Sequence, residues 1–258
     1  LPKVNYDFQD YLFSQSLKGI KFTIEELGGE LLGGHTFETR NFVAKPYEFG
    51  MDISLSVQGI IKNGKKPWKK NGLKSGDILL LSRPLGVGII FAAQMQNINL
   101  FNSTNLVYKS LRTSQQFLLD QIYQLQDNLG ENIINAATDI TGFGFIGHLK
   151  EMVKSSNLQR KSHNLNEIKA VLNLMSFNTY PNVMELIRKG VKSTLFDGNK
   201  KIYDEIVEKE FAQREIIFDL EEDLSTGKIS DKIELLLDPQ TCGPLLISCK
   251  PKYEKYFK

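Results

Sequence analysis

The stretch ATDITGFGFIGHLKEM, Ala137–Met152, constrains this chain more than any other. It starts as the end of a strand, turns through an acid and two glycines, and continues as a helix. NIINAA, just before it, reads as a strand, and Gly144–Val153 reads as the helix. A strand that feeds a helix through a glycine turn belongs to an architecture in which helices cover a sheet. Asp139 stands at the junction, and its carboxylate suits a hard cation such as Mg²⁺, which bridges phosphate oxygens. Gly142 and Gly144 permit close approach of backbone to a ligand. The helix behind them would direct free N–H groups and the positive end of its dipole at an anion. Thr138 and Thr141 add hydroxyls. The plainer alternative is that Asp or Thr here only caps the helix, and spacing leaves both open.

The same rhythm of strand and helix runs through much of the chain. DILLLS (Asp77–Ser82) reads as a strand, GVGIIFAAQMQ starts a helix, and ISDKIELLL and PLLISCK read as a helix and a strand. Leu106–Leu129 reads as one long amphipathic helix with Leu111, Phe117, Leu118, Ile122 and Leu125 on its apolar side. Pro181–Lys189 and Lys200–Glu208 read as helices, with a turn at Asp197, Gly198 and Asn199 between them. Pro251 can open a last helix at its first turn. Near the start, Ser16–Thr36 holds a helix ending at Gly28–Gly29. A short strand, Glu30–Leu32, then runs into Gly33, Gly34, His35 and Thr36. YEFGMDISLSVQGII alternates with period two and reads as a half-buried strand, with Phe49, Met51, Ile53, Leu55 and Val57 on one face. The lysine-rich stretch that follows, with Lys62, Lys65, Lys66, Lys69, Lys70 and Lys74, reads as a solvated linker. The fold class is therefore α/β (α+β), with an expected boundary between residues 1–61 and 62–258.

Composition narrows the function classes. With 258 residues, a net charge of +2, 41% hydrophobic and 24% charged residues, the chain has the make-up of a soluble globular protein. That charge is too balanced to argue for nucleic acid. No apolar run reaches the ~18 residues that a membrane span needs, and no signal peptide is visible. Cys242 and Cys249 have neither the spacing nor the number of a zinc site or a disulfide framework, so a reducing, cytoplasmic setting is expected. Their apolar flanks predict shielded thiols at both positions.

Two other motifs bear weighing. In LLGGHT a strand ends in two glycines, a histidine and a threonine, which can cradle a phosphate or ribose or can simply make a tight turn. RPLGVGII lacks the third glycine of a dinucleotide fingerprint, so helix packing explains it better. His148, one turn into a helix, reads as a packing or capping residue, and the three histidines show no metal spacing.

LLGGHT, TDITGFGFIGHL and DPQTCGPLL, in that order, resemble the LVGGHT, TDVTGFGLLGHL and DPQTSGGLL segments of selenophosphate synthetases. These enzymes, also called selenide, water dikinases, belong to the aminoimidazole-ribonucleotide-synthetase-like superfamily. SGDILLLSRPLGVGII is similar to a further stretch of that family. The resemblance implies the family's C-terminal domain, preceded by the tail of its N-terminal ATP-binding domain. It implies ATP, selenide and Mg²⁺ as ligands, a homodimer, and a reaction that turns ATP, selenide and water into selenophosphate, AMP and phosphate. Asp139 would hold the Mg²⁺ that clamps the ATP phosphates, with Thr138 and Thr141 beside it. Gly33, Gly34, His35 and Thr36 would contact nucleotide, across the dimer interface.

This chain departs from the family at several points. Cys242 stands for a serine and Pro244 for a glycine, and FETRNFVAKPYEFG replaces a shorter acidic turn. The family's reactive Cys or Sec, its lysine and further metal-binding aspartates precede GGHT and are absent here, so a fragment is expected, with catalytic residues upstream of Leu1. Some relatives are fused behind a flavin-dependent domain, which makes an upstream domain a further expectation. The rival readings are a nucleotide-binding module without chemistry, and a sister ATP-dependent kinase or ligase of the superfamily. Residues 1–258 alone are expected to form no AMP from ATP, selenide and Mg²⁺. Robust turnover in that assay would show the fragment reading to be wrong.

Overall fold

β5 (Leu245–Cys249) is an apolar run that leads to a buried cysteine, and it is buried because it is central. In a computed structural model of the chain, which describes residues 5–37, 51–61, 65–98, 100–219 and 230–257, β5 pairs antiparallel with two neighbours. These are β1 (Ile78–Leu81) and β2 (Ile134–Asp139), giving the order β1-β5-β2. Asp139 pairs with Leu245, so the last residue of β2 lies beside the first of β5. A second, parallel pair is formed by β3 (Ala170–Leu172) and β4 (Ile216–Phe218).

The chain divides into two compact units, Leu1–Lys65 with Ser114–Asp120, and Lys66–Thr113 with Gln121–Lys258. The first holds α1 (Tyr6–Glu26), which starts ten residues before the expected Ser16. The Asn5 carboxamide oxygen caps it, accepting from the Phe8 N–H at 2.8 Å. It ends as expected, at Gly28 with φ +69°, where the Gly28 and Gly29 N–H groups donate to Glu25 and Ile24 carbonyls. None of its residues is buried. The strand expected at Glu30–Leu32 is not formed, and Met51–Gln58 forms none either. Phe49 and Gly50 lie outside the described residues, as does Lys62. Alternation marks the two faces of a strand, but a strand exists only where a neighbour takes its N–H groups. Among the described residues none does so for these stretches.

The second unit carries the sheets and the core. Its helices include α2 (Val87–Met95), α3 (Phe101–Arg112), α5 (Gly144–Ser162), α6 (Val183–Arg188), α7 (Phe196–Val207) and α8 (Asp231–Leu237). Fully buried Phe145, Leu149 and Met152 line one side of α5, and Ile90, Ile206 and Ile233 join the same core. The long helix expected over Leu106–Leu129 is two helices, since α4 spans Gln116–Leu129. Thr113 is extended, at φ −81° and ψ 118°. Its hydroxyl bonds back to the Lys109 carbonyl at 2.8 Å, and the Arg83 guanidinium takes its own carbonyl. Ser114 then accepts from the Gln116 N–H and opens the next helix. The turn expected at Asp197–Asn199 is the first turn of α7 instead. Asn199 is buried, and its amide donates to the carbonyls of Gly142 and Leu237 at 2.9 and 2.8 Å.

DPQTCGPLL locks three segments together. The buried Gln240 side-chain oxygen accepts from Gly86 and Val87 at 3.2 and 3.3 Å, at the start of α2. Its side-chain nitrogen donates to Asp238, and its backbone N–H donates to the Thr141 carbonyl at 3.1 Å. Asp238 in turn accepts from the Gly88 N–H at 3.0 Å. The chain then passes so close to the Asp139 turn that a Cβ on Gly243 would lie 1.5 Å from the Ile140 carbonyl oxygen. Gly144 carries a φ of +65°, and a Cβ there would stand 2.8 Å from the Leu237 oxygen. A Cβ on Gly86 would stand 2.4 Å from Val183 and one on Gly88 2.5 Å from the Asp238 carboxylate, so the glycines of RPLGVGII serve packing, as their sequence suggested.

Two predictions follow from this core. Burial pushes the Asp238 carboxyl up to about 8, against the pull of the Ile89 N–H, the Gln240 amide and the Gly88 N–H. Its folded value lies above the ordinary 3.8, so its contribution to stability is complete below that value and is lost as the pH rises through about 8. Asp238→Asn is expected to flatten that fall, read from urea midpoints taken from acid to mildly alkaline pH. An unaltered slope would refute the assignment. The second prediction concerns the thiols, and it corrects the expectation that both are shielded. Cys249 is buried, and burial together with Asp77 and Glu254 pushes its thiol up to about 11. Cys242 is exposed, in the turn before β5, where its φ is +44°. A disulfide reagent at neutral pH is expected to label Cys242 in the native protein and Cys249 only after unfolding. Labelling of both at equal rates would contradict the burial of β5.

Candidate functional site

Asp139 is the last residue of β2 and is exposed, while Ala136, Ala137 and Thr138 before it are buried. The turn behind it is held on every side by protein groups. The Ile140 N–H donates to the Pro244 carbonyl at 2.9 Å, and the Thr141 carbonyl accepts from Gln240 and from Gly144. The Gly142 carbonyl accepts from the Asn199 amide. The Thr141 N–H donates to Nε2 of His148, 3.1 Å away, from the second turn of α5. These bonds hold the turn by protein groups alone.

The cap reading of Asp139 does not hold. The residue that caps α5 is Phe143, with no side-chain cap bond, and Asp139 lies four residues earlier. Thr138 is buried, and its hydroxyl donates to the Asp139 carbonyl at 3.3 Å. Thr141 is half-buried, with its hydroxyl 3.1 Å from the same Nε2 of His148. His148 is 6% exposed, and burial holds its pKa below the ordinary 6.5. Asp139 raises it in part, Lys70 lowers it further, and Glu151 raises it. The ring is therefore neutral at pH 7, as its acceptor role at Nε2 requires.

The lysine-rich stretch is less of a free linker than its composition suggests. The Lys69 carbonyl accepts from the Ala137 N–H, and the Leu73 N–H donates to the Ser156 hydroxyl. Lys69 and Gly72 thus lie against Ala137 and Asn135 of β2, and Lys70 pairs with Glu151 at 2.8 Å. Gly33, Gly34, His35 and Thr36 belong to the first unit, where they are exposed and without regular structure. The His35 ring stacks near Phe37, with centroids 6.4 Å apart.

Among the described residues, no group of three or more His, Cys, Asp or Glu is placed to hold a metal ion. One exposed carboxylate is still a fitting donor set for Mg²⁺, which takes one or two carboxylates and fills its shell with water and substrate phosphates. A cleft of about 910 Å³ between β1 and β3 includes neither Asp139 nor Thr141 in its lining. Sequence reasoning found Asp139 and its turn but missed Gln240 and Asn199. The proline before Gln240 signalled a sharp turn, and nothing local signalled which segments that turn would join.

Comparison with known proteins places the chain in a family. The chain is 29% identical over 245 residues to a selenide, water dikinase of Colwellia psychrerythraea, covering 95% of the chain and 58% of that protein. It is 29% identical over 237 residues to a selenide, water dikinase of Caldanaerobacter subterraneus, covering 92% and 56%. The chain thus spans just over half the length of these relatives. A solved thiamine monophosphate kinase from Aquifex aeolicus overlaps 72% of the chain and 45% of its own, at 13% identity and a TM-score of 0.38, too loose to carry an argument. No helix among the described residues is long and apolar enough to cross a membrane. Residues 74–257 match the family described as AIR synthase related protein, C-terminal domain, so the chain belongs to that family and its fold is the mixed α/β fold of that domain.

Proposed function

We propose that the chain is part of a selenide, water dikinase, the enzyme that converts ATP, selenide and water into selenophosphate, AMP and phosphate. The observation that carries this reading is Asp139, an exposed carboxylate on a turn whose neighbouring backbone groups are bound by protein. The names of the relatives supply the substrate class. In this reading Asp139 is a Mg²⁺ ligand and Thr141 stands beside it, with Thr138 supporting the turn from below. When bound, the cation neutralises phosphate charge and holds the transferring group in line. Asp139 supplies a fixed negative charge, and the turn keeps that charge at one position without reorganisation. Gly33, Gly34, His35 and Thr36 contact the nucleotide, and the working form is a homodimer that binds ATP and selenide.

Asp139→Asn keeps the size of the side chain and removes its charge. In the intact gene product it is expected to lower AMP formation by roughly 10²-fold or more. Because Asp139 is exposed and caps nothing, the melting free energy is expected to stay within about 0.5 kcal/mol of the parent. Calorimetry or circular dichroism checks the second result beside the AMP assay. Full activity with unchanged melting would remove Asp139 from the site.

A further inference from the structure

His148 meets the Asp139 turn in a way that fixes the position of protons. Its Nε2 lies 3.1 Å from both the backbone nitrogen and the hydroxyl oxygen of Thr141. A backbone N–H can only donate, so Nε2 must be the bare nitrogen, and in a neutral ring the proton sits on Nδ1. Nδ1 is buried and has no hydrogen-bond partner among the described residues. The Glu151 carboxylate stands 4.0 Å from it and is itself held by Lys70. The Phe143 ring, 5.8 Å away by centroids, packs beside the imidazole. With Nε2 bare, the Thr141 hydroxyl has an acceptor for its single proton, shared with the Thr141 backbone N–H. Its lone pairs then stay free to accept from, or bind to, whatever approaches the turn.

We propose that His148 is a positioning residue. As the Nδ1–H tautomer it anchors the Thr141 amide and turns the Thr141 hydroxyl proton inward, so that beside the Asp139 carboxylate the turn presents oxygen lone pairs rather than a proton. The surface so formed suits a divalent cation or its bound water, and it disfavours direct contact between the Thr141 hydroxyl and a phosphate oxygen, which would need that proton. This deepens the reading of Asp139 as a cation ligand and rests on it.

The test uses this chain, its His148→Gln and His148→Leu variants, and Mn²⁺ alone as the probe. Imidazole ¹⁵N spectra at neutral pH are expected to show a bare Nε2 and a protonated Nδ1. A proton on Nε2 overturns the proposal. Amide hydrogen exchange at Thr141 is expected to quicken about 5- to 10-fold in His148→Leu, the loss of one hydrogen bond, and to return to within about twofold in His148→Gln, which keeps an acceptor. If Thr141 quickens no more than Ala137 and Ile146, His148 only packs the core and the positioning role fails. Mn²⁺ is expected to broaden the resonances around Asp139, less so in His148→Leu and not at all in Asp139→Asn. Broadening that survives Asp139→Asn refutes the cation reading of Asp139, whereas the tautomer and exchange results judge His148 separately. Broadening that Asp139→Asn abolishes and His148→Leu leaves intact refutes the positioning role alone.

Discussion

Gln240 joins stretches of chain about 150 residues away through its buried side-chain amide and about 100 residues away through its backbone N–H. Leaving such a side-chain amide unpaired would cost about 1–3 kcal/mol, so its partners are fixed once it is buried. Those partners are the start of α2, Asp238 on the way into the turn, and, through the backbone of Gln240, the Asp139 turn itself. The next contact along the chain, from Pro244 to Ile140, delivers β5 into the sheet between β1 and β2. The position of Asp139 is therefore set by the same bonds that order the central strand. Stability and the shape of the site cannot be varied independently here.

That coupling suits chemistry done by placement. Transfer of a phosphoryl group asks the protein for fixed charges in fixed places more than for covalent partners. The proposed role asks this of Asp139, whose strand is paired to β5 and whose turn is bound by His148, Gln240, Asn199 and Pro244. The start of α2, by contrast, is occupied by protein groups. Gln240 and Asp238 take its first N–H groups, which is why RPLGVGII shows glycines after a strand and yet is no phosphate loop.

How much of this was legible in the sequence depended on the range of the interaction. The Gly28–Gly29 stop, the β2–turn–α5 junction and the apolar strand of β5 rest on local chemistry, and each was readable. So was the family, through three short motifs in order. The break at Thr113–Gln115 was not, because it rests on Arg83, thirty residues away, taking the Thr113 carbonyl. β3 and β4 were missed, because three-residue strands carry too little pattern and pair with each other across more than forty residues. The alternation in Met51–Gln58 was read as a strand, although no partner for it stands among the described residues. At the site, the exposed Asp139 was readable, whereas the groups that hold it, Gln240 and Asn199, are placed by tertiary packing alone.

The measurement that tests the central claim most directly is a crystal structure of the intact gene product with Mn²⁺ and a non-hydrolysable ATP analogue, using the anomalous signal of manganese. The account predicts a metal peak at the nucleotide phosphates with an Asp139 carboxylate oxygen directly coordinated, at about 2.0–2.2 Å as for small hard cations. It also predicts an Ile140–Gly144 turn unchanged from the arrangement described here. A metal seated on the phosphates with Asp139 turned to solvent, or a turn rebuilt around the nucleotide, would contradict it.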